Sequence, residues 1–169
     1  MCSVRAEIPL TPLTAQCIQK ASQVYKVPLS VLFAVLATER GKIGEVNHNK
    51  NGTVDVGPMQ INTVHFKDAE KWGLTPEILT NNGCANFIFG TWYLSTLLDK
   101  YDTWEAIGIY HSRTPYYKSR YQNRAYTRLK ELNIQDLLLE INSPLLNQQK
   151  ENSELYDPAS GRIFSRSHK

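Results

Sequence analysis

The sequence predicts a mainly helical domain with one small β-hairpin, an α+β chain in which helices dominate. Three observations carry that expectation. Apolar residues recur at helical spacing through most of the stretch from residue 11 to residue 132. Thr-Pro, Asn-Gly and isolated Gly signals punctuate those runs and mark where helices start and stop. Thr53-Val54-Asp55-Val56-Gly57 alone alternates like a strand, and Asn51-Gly52 before it is a hairpin turn signal. With 169 residues, 41% apolar and 10% aromatic, the chain can bury a core.

The elements follow in order. Thr11 as N-cap and Pro12 at the first helical position predict a helix whose apolar stripe is Leu13, Cys17, Ala21 and Val24. Pro28 breaks the chain, and a second helix runs from about Leu29 to Arg40. It is apolar nearly all round, as a central buried helix must be. Gly41, Gly44 and the Asn-rich stretch from Asn47 to Gly52 predict loop and turn. Helical spacing returns from Asn62 through Val64, Phe66, Ala69 and Trp72. Thr75-Pro76 starts a short helix that Asn82-Gly83 stops. Longer helices are expected at about Ala85 to Tyr101, Trp104 to Tyr110 and Pro115 to Leu132. Residues 1–10 are expected to be a flexible N-terminus. Residues 133–169 are expected to be a partly disordered extension with one amphipathic patch, Ile134 to Ile141.

Composition narrows the function. A net charge of +3 is too small to argue for nucleic acid, and no apolar run approaches the roughly 20 residues of a membrane span. The opening MCSVRAEIPLTPL has no sustained apolar core, so no secretory signal is read there; the chain either stays inside or is a mature form. Cys17 and Cys84 both lie in expected helices, where they are either a disulfide or two free buried thiols; Cys2 lies in the loose terminus.

Several site classes fail on spacing. Asn47-x-Asn49-x-Asn51-Gly52 imitates the front of a calcium loop, but its twelfth position is Pro58 and not an acid. His48, His65, His111 and His168 are scattered, no Cys-x-x-Cys occurs, and no metal site is expected. Nucleotide and serine-hydrolase motifs are absent. Arg120, Arg124 and Arg128 share one helical face, which reads as a solvated basic face before it reads as a substrate track.

Glu39 stands apart. A carboxyl on the last turn of a buried apolar helix is desolvated and feels the negative helix end, and both effects raise its pKa. An acid still protonated near neutrality is what cleavage of a glycosidic bond needs, because the leaving oxygen must receive a proton.

After such a Glu, Gly57-Pro58-Met59-Gln60 with Ile61-Asn62 resembles the lysozyme-like lytic transglycosylase superfamily. The wider pattern extends the likeness: Glu-x-Gly, then Asn-x-Asn-Gly-Thr-x-Asp-x-Gly-Pro-Met-Gln-Ile-Asn. It resembles the small peptidoglycan-cleaving muramidases attached to specialised secretion and conjugation systems. The resemblance continues through Asn82-Gly83-Cys84-Ala85-Asn86, Tyr110-His111-Ser112-x-Thr114-Pro115 and Arg120-Tyr121, and covers about residues 13 to 132.

The resemblance implies a lysozyme-like fold, a catalytic domain over residues 11–132 and Glu39 as the catalytic acid/base. It also implies substrate contacts from Met59, Gln60, Asn62, Tyr110, His111, Ser112 and Tyr121, with Tyr110 contacting and orienting the acid. It pairs Cys17 with Cys84 and so implies export or a periplasmic location. It implies no cofactor, and as partners glycan strands of peptidoglycan and secretion or conjugation components, with the chain a monomer. Two departures bear on the site. Arg40 stands where many relatives have Ser, and turned inward it would lower the acid's pKa; Ile109-Tyr110-His111 stands where many have Ala-Tyr-Asn.

Asp55 separates two chemistries. The run Thr53-x-Asp55-x-Gly57-x-x-Gln60-Ile61-Asn62 also resembles animal-type lysozyme, in which the matching aspartate is the second catalytic carboxylate. At about 5 to 5.5 Å from Glu39, Asp55 would support hydrolysis. Otherwise Glu39 works alone and gives a 1,6-anhydro sugar, the route the resemblance favours. A different class of function, a peptidoglycan-binding assembly component with little activity, would not need the acid that this chain retains.

Overall fold

The computed structural model describes residues 9–133 and two short strands at residues 155–157 and 162–164. It has seven α-helices among the described residues and a three-stranded sheet on one side.

Helix α1 spans Ala15–Tyr25, three residues later than the Thr11-Pro12 signal. Thr14 is its cap, accepting a hydrogen bond from the Cys17 N–H at 3.1 Å. Thr11 is unavailable for capping because its backbone pairs with a distant segment. Its N–H donates to the Asn81 carbonyl, and its carbonyl accepts from the Gly83 N–H, both at 2.8 Å. Tertiary pairing outweighs the local signal. On α1, Cys17 and Ala21 are buried as expected, whereas Val24 is 41% exposed and Ile18 takes a core place instead.

Helix α2, Leu29–Glu39, buries Leu32, Phe33, Ala34, Val35 and Thr38. Arg40 ends it in the left-handed conformation, φ 56°, with its N–H donating to the Leu36 carbonyl.

The sheet runs β1 (Val46–His48), β2 (Val54–Val56) and β3 (Ile61–Asn62), antiparallel and in that order. The expected hairpin is therefore extended by a third strand, two residues long and too short to show an alternation. Register places Asp55 between Asn47 and Asn62. A 3₁₀ turn at Thr63–His65 leads into α3, Phe66–Glu70.

Helix α4, Pro76–Asn81, starts under a Thr75 cap with Pro76 in its first turn, as the sequence predicts. Asn82, expected only to stop it, also caps α5 (Gly83–Leu98) through a 2.9 Å bond from the Ala85 N–H. Helix α5 is central, with Phe87, Phe89 and Leu94 inaccessible to solvent. Each such side chain contributes roughly 1.5–3 kcal/mol of burial. Helix α1 packs on α5 and is joined to it by the Cys17–Cys84 disulfide. Helices α6 (Thr103–His111) and α7 (Pro115–Glu131) complete the bundle, α7 lying against α2.

One amide registers the sheet on the bundle. Asn86, fully buried on α5, accepts from the Met59 N–H at 2.8 Å and donates to the carbonyls of Val56 (2.8 Å) and Leu79 (2.9 Å). Gly57, at φ +68°, lies so close that a Cβ there would collide with this side chain.

The expectations placed on residues 1–8 and on Ile134 to Ile141 lie outside the described residues. Within the C-terminal extension, β4 (Leu155–Asp157) and β5 (Arg162–Phe164) pair antiparallel, a feature that the sequence pattern does not predict.

Candidate active site

An open groove of about 660 Å³ runs between the sheet and the helices. Asn49, Lys50, Asn51, Thr53, Asp55, Gln60 and Asn62 line it from the sheet side. Tyr93, Tyr110, His111, Ser112, Arg113 and Tyr117 line it from the helices, and Glu39 and His65 also border it.

Glu39 reaches this groove from the last residue of α2 and is only partly accessible. Its pKa is raised from 4.5 to about 7. Desolvation is the main cause; the Tyr121 hydroxyl opposes it, the Asp55 charge adds to it, and the Arg124 guanidinium opposes it. Arg40 has no part in this. Its left-handed cap turns it to solvent, so the inward arginine that would lower the acid's pKa is not found at that position.

Beneath Glu39 lies Tyr121, fully buried. Its hydroxyl has no hydrogen-bond partner within ordinary geometry, yet it lies near enough to Glu39 for each to shift the other's pKa. His111 stacks on the Tyr121 ring, and the Arg124 guanidinium lies 5.6 Å from its centroid. Burial and the Arg124 charge push the His111 imidazole below its ordinary pKa.

Three of the expected site residues already have partners or burial of their own. Tyr110, expected to orient the acid, donates its hydroxyl to the Met59 carbonyl at 2.9 Å, and Tyr110 and Tyr121 both lie near enough to Glu39 for its charge to raise their pKa values. Gly90 permits that approach, since a Cβ there would lie 2.9 Å from the Tyr110 hydroxyl. Met59 and Tyr121, expected to contact substrate, are both wholly inaccessible and lie below the groove surface. Motif spacing locates them in the chain but does not say which way a side chain points.

Asp55 faces the groove on β2. Its Oδ1 accepts from the Asn62 amide at 2.7 Å and its Oδ2 from the Asn49 amide at 2.8 Å. Asn62 also caps the 3₁₀ turn, its Oδ1 accepting from the Val64 N–H at 3.1 Å. Gln60, left-handed at φ 49°, donates to the Gly57 carbonyl and accepts from the Asn47 amide. Asn62 and Gln60 thus line the groove with hydrogen bonds already made to protein. Ser112 and His111 line it too.

Sequence reasoning misses Asn49 as a holder of Asp55, because it places Asn49 in a turn cluster. Asn49 does belong to that turn, its carbonyl accepting from the Gly52 N–H at 3.0 Å, as does Asn51, whose Oδ1 accepts from the Thr53 N–H at 3.1 Å. It also misses His65 and Tyr93, whose rings lie 4.2 Å apart beside the groove, and Arg124. Among the described residues, no cluster of three or more His, Cys, Asp or Glu could hold a metal ion. No helix among them is long and apolar enough to cross a membrane.

The helices and small sheet form a lysozyme-like fold, and the groove between them holds a near-neutral helix-end carboxyl among polar side chains. Comparison with known proteins gives the family. Residues 16–134 match the transglycosylase SLT domain, and the chain belongs to that family. It is 31% identical over 133 residues to "Invasion protein IagB" of Salmonella typhi, covering 72% of this chain and 82% of that protein. It is 35% identical over 102 residues to "Protein IpgF" of Shigella flexneri, covering 59% of this chain and 67% of that protein. To an "X polypeptide" of Escherichia coli it is 32% identical over 110 residues, covering 64% of each.

Proposed function

We propose that this protein is a lytic transglycosylase that cleaves the β-1,4 bond between N-acetylmuramic acid and N-acetylglucosamine in peptidoglycan. The observation that carries the reading is Glu39, a carboxyl with a pKa of about 7 at the edge of the groove. At neutral pH a large share of it is protonated, so it donates to the bridging oxygen as the C1–O bond breaks. The carboxylate so formed takes the proton from the muramic C6 hydroxyl. That oxygen then bonds C1 and closes a 1,6-anhydro ring. The groove's amides, Asn49, Gln60 and Asn62, suit N-acetyl and hydroxyl groups. The Cys17–Cys84 disulfide and the invasion-protein relative support an exported protein, acting in the periplasm to open the wall for a secretion or conjugation apparatus.

A second reading, hydrolysis with Glu39 and Asp55 as paired carboxylates, is favoured by one observation: both groups border the same groove. Mass spectrometry of the products from digested sacculi separates the two. Anhydro-muramic ends are expected; reducing muramic ends would overturn the lytic route in favour of hydrolysis. A Glu39→Gln variant that still lyses sacculi would overturn both.

A further inference from the structure

The groove continues beyond Glu39 onto the turn between α6 and α7, where its character changes. Arg113 and Tyr117 line it there, and Tyr116 and Arg120 adjoin them on α7. Tyr116 and Tyr117 are 61% and 56% exposed, with their rings edge-on at 5.3 Å. Arg120 donates to the Tyr116 hydroxyl at 3.0 Å, its guanidinium 5.5 Å from that ring. Arg113 leans on the Tyr101 hydroxyl at 3.4 Å.

These arginines differ from Lys118 and Arg128 nearby. Lys118 pairs with Glu105 at 2.6 Å and Arg128 with Glu131 at 2.8 Å, whereas Arg113 and Arg120 have no carboxylate partner among the described residues. From His111 to Lys130 the sequence contains no Asp or Glu at all. Two exposed guanidinium groups are thus held in place by tyrosines and left without an anion, beside uncovered aromatic surface.

A neutral sugar chain gives such a surface no charge to meet. The muramic residues of peptidoglycan carry a branch that does, a short peptide with free carboxylates. We propose that Arg113, Tyr117 and the Tyr116–Arg120 pair form a subsite for this acidic stem peptide, so that the groove selects stem-bearing strands. The proposal rests on the function proposed above and names which form of that substrate the site prefers.

The test compares intact sacculi with sacculi stripped of stems by an amidase and then capped as amides at the lactyl carboxyls so exposed, using the full chain with Arg113→Gln and Arg120→Gln combined. On intact sacculi KM rises roughly tenfold with kcat little changed, and on stripped strands the rise is several times smaller. Equal losses on both substrates, or none on either, would overturn the stem subsite. Sedimentation binding of a Glu39→Gln protein, with and without the arginine changes, reads the same preference without turnover. Selective loss of binding to intact sacculi is expected there, and equal binding overturns the subsite. Wild-type protein that cleaves neither substrate would instead overturn the function on which the proposal rests.

Discussion

The imidazole of His111 lies flat on the ring of Tyr121, with centroids 4.7 Å apart and planes 7° from parallel. A groove-facing side chain is thereby coupled to a buried phenol whose hydroxyl neighbours Glu39. The acid is held between opposed influences: burial and Asp55 favour its proton, and Tyr121 and Arg124 favour its charge.

Tyr121→Phe removes an influence that lowers the Glu39 pKa, so that pKa rises. The alkaline limb of kcat/KM, which falls as Glu39 loses its proton near pH 7, moves to higher pH. Arg124→Gln acts in the same direction. Because the Tyr121 hydroxyl favours the charged form of Glu39, the Phe variant is expected to lose up to about 1 kcal/mol of stability at neutral pH. A pH–rate profile and a thermal melt check the two outcomes.

Glu39 itself costs stability at neutral pH. Its folded pKa, about 7, exceeds the unfolded value of 4.5, so the folded state holds more protons between those values and stability falls as pH rises through them. Glu39→Gln is therefore expected to match the wild type near pH 4. At pH 8 it should exceed it by roughly 1–3 kcal/mol. Urea unfolding at the two pH values measures the difference.

Asn86→Ala strips partners from the Met59 N–H and the Val56 and Leu79 carbonyls at once. The expected loss is roughly 3–5 kcal/mol, with weakened activity because the floor of the groove shifts. Chemical denaturation measures the first and sacculus digestion the second.

Reduction of Cys17–Cys84 frees a 67-residue separation in the unfolded chain. A stability loss of about 2–4 kcal/mol is expected on treatment with dithiothreitol, while a Cys17→Ala, Cys84→Ala protein shows no response to it. Thiol titration of the native protein should leave both cysteines unreactive.

Glu39 is legible because its signal is local: an apolar helix that ends on an acid. The Thr75-Pro76 start of α4 is legible for the same reason. Thr11 and Thr14 compete for one cap, and the choice turns on pairing with residues some seventy positions away, which no local rule contains. Arg40 does not act on Glu39, whereas Arg124, exposed as expected, does. The first is turned outward by a single left-handed residue, and the second is brought to Glu39 by the packing of α7 on α2. Met59 lies in a recognisable motif, but its buried orientation follows from the bonds of Asn86 and Tyr110 to its backbone.

Asn86 has a mechanical consequence. By tying the Val56 carbonyl and the Met59 amide to α5, it joins the two banks of the groove into one trough at its floor. A polymer in such a trough is exchanged by sliding along it or lifting out of its open side. Turnover should then depend on how the strand moves and not on the walls parting.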